Sequence, residues 1–466
     1  MKLKLLAISA AWRQCIVGFT TEIIIPAIIR WNINFAGNYS VIAGVVCGSS
    51  ILREQKFGQR TINKKSHKKE VIGMENPIYA KAKDLQEYVA KIRQQIHQNP
   101  ELGMKEYKTV NLVKQELESY GVKIVPIDVE TGILGVVQGT KSGSATVTAL
   151  RADMDALPIV EKTGVSYSSV NDGVMHACGH DGHTAILLGV AKLLSTLRDQ
   201  FSGTVKFIFQ PGEETLVGAR EMVRAGVLEN PKVDTIVALH AWPYISVGKI
   251  GVRPGPYHAS ADFFKAKIIG TGGHGGYPHK GSDCLLAATQ AVGALQSIVS
   301  RQLNAIDNTV LSVCTIHGGT AFNIIPAEVE FTGTVRCHNM EIRNSMKDRM
   351  NKIIGNTAEA FGCGYEFEYI LGLPMTINHP EVTQQLCEAA MQTIGEDQIV
   401  QLPEPVMGSE DFALYQETVP QSAFIRLGNN AGDKEIPVHT DRFNFNDDAI
   451  PAGIAVLTQF VLDRNQ

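Results

Sequence analysis

The alternation of strands and helices between residues 145 and 240 limits the folds open to this chain more than any other feature. Short β-rich runs at 145–150, 204–209 and 235–239 are separated by amphipathic helical patterns at 181–197 and 216–228. A helix that joins two strands returns the chain to its starting end, so the two strands run parallel. We therefore predict an α/β domain with a mostly parallel sheet.

The pattern changes after Pro256. The predicted elements are a strand at 263–269, a helix at 285–299, strands at 310–316 and 329–335, a helix at 342–361 and a strand at 365–369. This β-α-β-β-α-β order is typical of a ferredoxin-like unit. We predict a discontinuous α/β domain, 74–257 and 374–466, that carries an inserted ferredoxin-like α+β lid at 258–373.

Residues 1–73 do not share this organisation. Their apolar fragments show no sustained period, and the tract 53–70 is basic and polar. Met74 opens a helical pattern in which apolar residues recur three or four apart from Ile78 to Ile96. We predict that Met74 is the natural start and that 1–73 is a disordered or non-native extension, with a weak targeting arm as the alternative.

The amino-acid composition limits the classes of molecule that we expect this chain to bind. The chain is 44% hydrophobic and 19% charged, as in an ordinary globular protein, and its net charge of −4 gives no reason to expect nucleic acid. No apolar run reaches the ~18–20 residues of a membrane span. The eight cysteines form no CxxC pair, which favours reduced thiols in the cytoplasm.

Metal-ligand side chains follow the carboxyl ends of the predicted strands. These residues are Asp153, Asp155, Glu213, Glu214 and His240, with Glu410, Asp411 and His439 farther along the chain. In open α/β sheets the carboxyl ends of the strands are where ligands bind. The sequence therefore predicts a site at this edge of the sheet.

Each of these signals has a plain structural alternative. Cys178 and His180 are two residues apart and could grip one metal, or the thiol could simply be buried beside a helix cap. The pair Glu213 and Glu214 could divide metal binding and proton transfer, or lie solvated at a helix start. His240 and His439, each taken alone, are more often ordinary structural histidines than ligands.

Taken together, the set points to a dinuclear metal centre. Thiolate, imidazole and carboxylate donors suit zinc, manganese, cobalt or nickel. Five residues exceed the ligands of one tetrahedral zinc, and a thiolate can bridge two ions. The predicted ligands are Cys178, His180, Glu214, His240 and His439.

Five short motifs follow one another along the chain: LRADMDALP at 150–158, MHACGHDGH at 175–183, FQPGEE at 209–214, LHAW at 239–242 and MGSEDF at 407–412. In this order they resemble the M20 metallopeptidase family, specifically its acyl-amino-acid amidohydrolase branch. That branch includes hippurate hydrolases, aminoacylases and auxin-conjugate hydrolases. The resemblance runs from about residue 80 to 462 and implies an aminopeptidase-like catalytic domain with a lid that also mediates dimerisation.

The resemblance also implies roles for individual residues. Cys178 would bridge two metal ions, Mn²⁺ or Zn²⁺ first and Co²⁺ or Ni²⁺ as alternatives. His180, Glu214, His240 and His439 would complete the ligand set, and Glu213 would be the general base. Asp155 and Asp181 are candidates for supporting the metal ligands.

The lid carries a further implied set. The stretch GGHGGYP at 272–278 resembles the family's lid motif, whose histidine, here His274, stabilises the developing oxyanion, often in the partner subunit. Asn323 and Arg336 would hold the α-carboxylate of the substrate, for which the planar fork of arginine is suited.

The expected activity is hydrolysis of N-acyl-L-amino acids, such as N-acetyl or N-benzoyl amino acids, to a carboxylic acid and a free amino acid. The expected partners are this small-molecule substrate and a second copy of the chain, without nucleic acid or membrane. The alternatives are a dipeptidase or aminopeptidase of the same superfamily and a non-catalytic metal-binding relative.

Overall fold

The computed structural model describes residues 31–35, 39–43, 76–430, 432 and 434–466. The strands Trp31–Phe35 (β1) and Tyr39–Ala43 (β2) pair antiparallel. They belong to one compact unit, and the residues from 73 onward form another. The prediction about residues 1–73 falls mostly outside the described residues and stays a prediction.

The second unit contains sixteen described strands and ten described α-helices. In chain order they are α1 (Pro77–Asp84), α2 (Gln86–Gln98), α3 (Tyr107–Ser119), β3 (Lys123–Val125), β4 (Ile133–Gln138), β5 (Val147–Asp153), α4 (His180–Thr196), β6 (Thr204–Gln210), α5 (Gly218–Arg224), β7 (Thr235–Ser246), β8 (Ile250–Val252), β9 (Gly255–His258), β10 (Ala261–Ile269), β11 (Gly273–His274), α6 (Cys284–Ser297), β12 (Thr309–His317), β13 (Ile324–Ile325), β14 (Glu328–Cys337), α7 (Met340–Ala360), β15 (Gly364–Leu373), β16 (Thr376–Asn378), α8 (Pro380–Thr393), β17 (Ile399–Gln401), α9 (Ala413–Thr418), β18 (Ser422–Asn430) and α10 (Ile450–Arg464). None of these described helices combines the length and hydropathy that a membrane span requires.

An eight-stranded sheet forms the centre, in the order β17-β8-β18-β7-β5-β6-β4-β3. The four inner strands β18, β7, β5 and β6 are parallel, which confirms the α/β expectation for this part of the chain. The flanking strands β8, β4 and β3 join antiparallel. β3 and β4 are consecutive strands without an intervening helix, and such pairs run antiparallel.

Helices cover both faces of this sheet. Along β7, Val237 and Leu239 belong to one hydrophobic core, and Ile236 and Ala238 belong to another. Successive side chains of a strand point to opposite faces, so the two cores lie on opposite sides. Because the inner strands are buried on both faces, polar side chains can form a site only near the strand ends. The carboxyl ends of the inner strands lie side by side, and we call this border of the sheet its carboxyl edge.

A second sheet has four antiparallel strands in the order β12-β14-β10-β15. Its elements follow in the order β-α-β-β-α-β, and α6 and α7 pack on it around Phe264, Phe331 and Met350. The chain enters this part through β9 and returns through β16, which pair with each other. The domain boundaries proposed from the sequence at 258 and 373 fall beside these two short strands.

Candidate functional site

A tight loop before α4 brings Cys178 and His180 to the carboxyl edge of the inner strands. Gly179 between them adopts φ +93°, and a Cβ there would lie 3.0 Å from the Cβ of Ala241. Only glycine tolerates that backbone next to so close a neighbour. The turn places His180 in the first turn of α4 and leaves Cys178 just before it.

The thiol of Cys178 is the meeting point of two groups of potential ligands. Its Sγ lies 3.3 Å from Nε2 of His240 and 3.3 Å from Nε2 of His439. Cys178, His180 and His240 form one group that could hold a metal ion, and Cys178, Glu214 and His439 form a second. The five residues predicted as ligands are therefore brought together, and both groups share the one sulfur atom.

The histidines of the first group use Nδ1 for hydrogen bonds to the backbone, which leaves Nε2 of each ring as the nitrogen for a metal ion. The Nδ1–H of His180 donates to the backbone oxygen of Asp155 at 2.9 Å, and that of His240 donates to the oxygen of Ala241 at 2.7 Å. In a neutral imidazole the other nitrogen then keeps its lone pair. Nε2 of His180 is buried without a hydrogen-bond partner, as expected of a metal ligand.

The electrostatics of the site also fit a cation. Burial and the charges of Glu214 and Glu213 raise the pKa of the Cys178 thiol, although His180 acts in the opposite direction. Burial opposes the charged form of His180, but Asp153 and Cys178 raise its pKa well above 6.5. A divalent ion would replace these protons and release them on binding.

Asp155 supports the ligands from the end of β5. Its Oδ1 accepts the backbone N–H of Glu213 and its Oδ2 accepts that of Glu214, both at 3.0 Å. Its Oδ1 also lies 3.2 Å from Nδ1 of His180. One carboxylate thus holds the loop 211–215 against the start of α4.

Asp181 points away from the ligands instead. Its Oδ2 lies 2.8 Å from Nδ1 of His97 and 3.4 Å from Nη1 of Arg93, both on α2. It fixes α4 to α2, and it can support His180 only through the backbone.

Asp153 and His183 support the ligands through a contact that the sequence pattern did not reveal. Nδ1 of His183 lies 2.6 Å from Oδ1 of Asp153, and its Nε2 accepts the backbone N–H of Ala241 at 2.7 Å. This chain joins β5, α4 and β7 directly beneath His240. Asp153 was expected near the site from its position at a strand end, and His183 lies in the motif that supplies Cys178 and His180, but neither signal predicts the contact between them.

Glu213 lies in a buried cluster of acids at the same edge. Its carboxylate oxygens approach those of Glu410 and Asp411 within 4.8 Å. Burial, followed by the negative charges of these neighbours, raises the pKa of Glu213 well above 4.5. A carboxyl group with a raised pKa suits a residue that must take up a proton and pass it on.

Arg151 partly neutralises this acidic cluster. Its guanidinium donates to Asp153 at 2.6 Å, to Glu410 at 3.0 Å and to Asp411 at 2.8 Å. Burial still raises the pKa of Glu410 to about 8 and that of Asp411 to about 6. No role was predicted for Arg151, because it lies on a buried strand and two of its acidic partners, Glu410 and Asp411, are 259 and 260 residues away in the sequence.

A cavity of about 450 Å³ opens onto this site. It is lined by Cys178, Glu213, Glu214, Leu216, His240, Trp242, His258, Arg336, Val406, Met407, Gly408, Ser409, Glu410, Val438 and His439. Of the three residues predicted on the lid, only Arg336 is among them. A compartment of this size accepts a small molecule rather than a folded protein.

His274 and Asn323 lie together elsewhere: His274 is on the short strand β11, and Asn323 directly precedes β13. His274 pairs with Ile324, and the N–H of Gly275 donates to the backbone oxygen of Asn323 at 2.8 Å. Both side chains are exposed, and neither lines the cavity of the same chain.

The chain is similar to known hydrolases along most of its length. The model of the family described as "Peptidase family M20/M25/M40" matches residues 149–463. An N-acetylcysteine deacetylase of Bacillus subtilis (strain 168) is 38% identical over 360 residues, which cover 77% of this chain and 92% of that protein. The IAA-amino acid hydrolase ILR1-like 4 of Arabidopsis thaliana is 39% identical over 383 residues, covering 81% and 86%.

A solved structure extends the likeness to the fold. It is a Bacillus subtilis protein described as a dinuclear metal binding peptidase from the M20 family, with a TM-score of 0.73 and 33% identity. The match covers 82% of this chain and 99% of that one. With its strand order, its ligand cluster and these matches, the chain belongs to the peptidase family M20/M25/M40.

Proposed function

We propose that this chain is a metal-dependent amidohydrolase that splits N-acyl-L-amino acids into a carboxylic acid and a free amino acid. The observation that carries the proposal is the position of Cys178, whose sulfur belongs to two ligand groups beside the buried carboxyl of Glu213. The names of the bacterial deacetylase and the plant hydrolase support an acyl-amino-acid substrate.

The ligand set fits two divalent ions held by the same thiolate. Cys178, His180 and His240 would hold one, and Cys178, Glu214 and His439 the other. The mixture of sulfur, nitrogen and oxygen donors favours Zn²⁺ or Mn²⁺, with Co²⁺ or Ni²⁺ also compatible. Such ions supply a Lewis acid and lower the pKa of water towards neutrality.

Glu213 would move the proton of the reaction. Its carboxylate removes a proton from the attacking water as the oxygen forms a bond with the amide carbon. It then gives that proton to the nitrogen as the carbon–nitrogen bond breaks. Burial and the negative charges of Glu410 and Asp411 raise the pKa of Glu213, which favours its protonated form between these two steps.

The α-carboxylate would bind Arg336 on the wall of the cavity. His274 and Asn323 would act in the cavity of a second copy, His274 on the developing oxyanion and Asn323 on the carboxylate. His274 is exposed on β11 and Asn323 is exposed directly before β13, both away from their own cavity, which supports this arrangement. A homodimer is thus part of the proposal, as is the cytoplasmic location expected from the cysteine spacing.

The test is release of free amino acid from N-acetyl, N-benzoyl and indole-acyl amino acids and from a few dipeptides. Metal-stripped protein should be inactive, and Mn²⁺ or Zn²⁺ should restore cleavage of the acyl compounds. Cleavage of dipeptides alone would move the chain to the peptidases of the family. The proposal would be overturned if the metal-loaded protein cleaved none of the compounds in this panel.

A further inference from the structure

Arg426 is a buried cation that has no anionic partner among the residues that the structure describes. Four arginine side chains are buried in the part of the chain that the structure describes. Three of them are ion-paired: Arg93 with Asp181 and Asp447, Arg151 with Asp153, Glu410 and Asp411, and Arg343 with Asp262. The fourth, Arg426, is 4% exposed, and neither its Nε nor its Nη2 has a hydrogen-bond partner in the described ranges of the chain.

Two aromatic rings enclose this guanidinium. Its Cζ lies 3.9 Å from the centroid of the Trp242 ring and 4.9 Å from that of Tyr257. Cation–π contacts of this kind offset part of the cost of removing the charge from water, but they leave the N–H donors unused. A buried charge normally has a partner that accepts its hydrogen bonds.

The arginine lies directly behind the wall of the active-site cavity. On the central sheet Arg426 of β18 is in register with His240 of β7, one strand away. Trp242 lines the cavity, and so does His258. The guanidinium is therefore separated from the cavity by a single layer of side chains.

Two further polar groups in this layer have no partner. The hydroxyl of Tyr257 and Nδ1 of His258 are both buried without a hydrogen bond. The ring centroids of these neighbours are 4.9 Å apart, and the Tyr257 ring is the one that covers the guanidinium. Arg426, Tyr257 and His258 thus all have unused hydrogen-bonding groups at one end of the cavity. In folded proteins, buried polar atoms are normally paired.

In the proposed function, Arg336 binds the α-carboxylate of the substrate. It belongs to β14 of the four-stranded sheet, and its Nη1 donates to Ser409 on the cavity wall. Arg426 belongs to the central sheet, so the two guanidinium groups are supplied by different sheets. A substrate with one carboxylate would use only Arg336.

We propose that Arg426, with Tyr257 and His258, forms a second anion subsite that selects N-acyl amino acids carrying two carboxylates. This inference rests on the proposed function and names its substrate class. The second carboxylate can come from the amino-acid side chain, as in N-acetylglutamate, or from the acyl group, as in N-succinylglycine. Both present the same chemistry to the guanidinium, which lies behind Trp242 on the cavity wall.

The test compares kcat/KM for N-acetylglutamate, N-succinylglycine, N-acetylglutamine and N-acetylglycine. The metal-loaded wild type should prefer at least one of the dianionic substrates, and the one preferred identifies the source of the carboxylate. Arg426→Met should lower kcat/KM for the dianionic substrates relative to kcat/KM for N-acetylglutamine and N-acetylglycine. The ratio should fall by roughly 10- to 100-fold, the usual effect of losing a hydrogen bond to a charged group. Arg426→Lys should recover only part of this ratio, because the planar fork is lost.

Thermal unfolding without substrate separates this role from a structural one. Arg426→Met should unfold at the same or a higher temperature than the wild type, because it removes a buried charge that has no anion. Arg343→Met is the matched control and should unfold at a lower temperature, because it leaves Asp262 buried and unpaired. Glutarate, a free dicarboxylate, should raise the unfolding temperature of metal-loaded wild type more than that of Arg426→Met.

The outcomes distinguish this inference from the proposed function. If N-acetylglycine is cleaved and Arg426→Met leaves the ratio of kcat/KM for dianionic to monoanionic substrates unchanged, the subsite is rejected and the proposed amidohydrolase activity stands. If no acyl amino acid is cleaved, the glutarate comparison decides alone: a smaller shift in Arg426→Met supports the subsite, and equal shifts reject it.

Discussion

Nη1 of Arg336 donates a hydrogen bond of 2.8 Å to Oγ of Ser409. The arginine comes from the four-stranded sheet and the serine from the wall of the active-site cavity, so this bond joins the two parts of the molecule at the site. A neutral hydroxyl is a weaker partner for a guanidinium than a carboxylate. The arginine is thus held in position by a bond that a substrate carboxylate can replace.

Arg336→Lys should raise KM for N-acetylmethionine by about 10- to 100-fold, because lysine cannot form the two parallel bonds of the guanidinium fork. Steady-state kinetics on the acid and on its carboxamide analogue measure the effect. The carboxamide should lose less between wild type and variant. Ser409→Ala is the control and should change KM much less, and equal losses on acid and carboxamide would contradict the role of Arg336.

Glu213→Gln should keep both metal ions and lose nearly all turnover. The amide has almost the shape of the carboxylate, but it cannot take a proton from water, and loss of a general base costs about 10²- to 10⁴-fold or more. Metal content measured by mass spectrometry and kcat on N-acetylmethionine check the two halves separately. Turnover near that of the wild type in the metal-loaded variant would refute the assignment.

Cys178→Ala should reduce the bound metal from two ions per chain towards one or none, because the thiolate belongs to both ligand groups. Equilibrium dialysis followed by metal analysis measures the stoichiometry. Cys387→Ala, at a buried thiol on α8, is the matched control and should keep both ions. Two tightly bound ions in Cys178→Ala would show that the sulfur is not shared.

The sequence was informative about the ligands because Glu214 and His240 come at the predicted ends of strands, and the carboxyl ends of parallel strands lie side by side. Cys178 and His180 lie in a motif that directly precedes a predicted helix between two of these strands, and the structure brings all four residues together. The contacts that support them could not be predicted in this way. Arg151 on β5 reaches Asp411, which lies in the loop before α9, and no hydrophobic pattern in the sequence specifies that distant pairing.

The orientation of a side chain was equally hard to infer. Asp181 follows a predicted ligand and was expected to support the metal site, yet its carboxylate contacts α2. Helix geometry explains this difference, because consecutive residues of a helix point about 100° apart and His180 already faces the metal site. The antiparallel flanks of the central sheet were also unpredicted, since strand direction depends on connections that the hydrophobic pattern does not specify.

A chain that begins at Met74 should fold and hydrolyse substrate like the full-length chain. The hydrophobic core of the α/β part begins at Ile78, and Asn76 caps α1 by accepting the N–H groups of Ile78 and Tyr79. Circular dichroism, thermal unfolding and kcat/KM compare the two chains. Loss of fold or activity in the shorter chain would show that residues 1–73 belong to the functional protein.

His97 should make the stability of the protein depend on pH between about 6.5 and 9. Burial opposes its charge, but hydrogen bonds to Asp181 and Glu161 raise its pKa from 6.5 to about 9. Because the folded-state pKa is the higher one, protonated His97 stabilises the fold fully below pH 6.5, and this contribution is lost as the pH rises through about 9. At about 1.4 kcal/mol per pKa unit, it amounts to roughly 3 kcal/mol. Urea unfolding of metal-loaded wild type and His97→Gln at several pH values measures it: the free energy of unfolding should differ most at pH 6 and converge above pH 9, whereas a constant difference would mean that His97 is neutral in the folded protein.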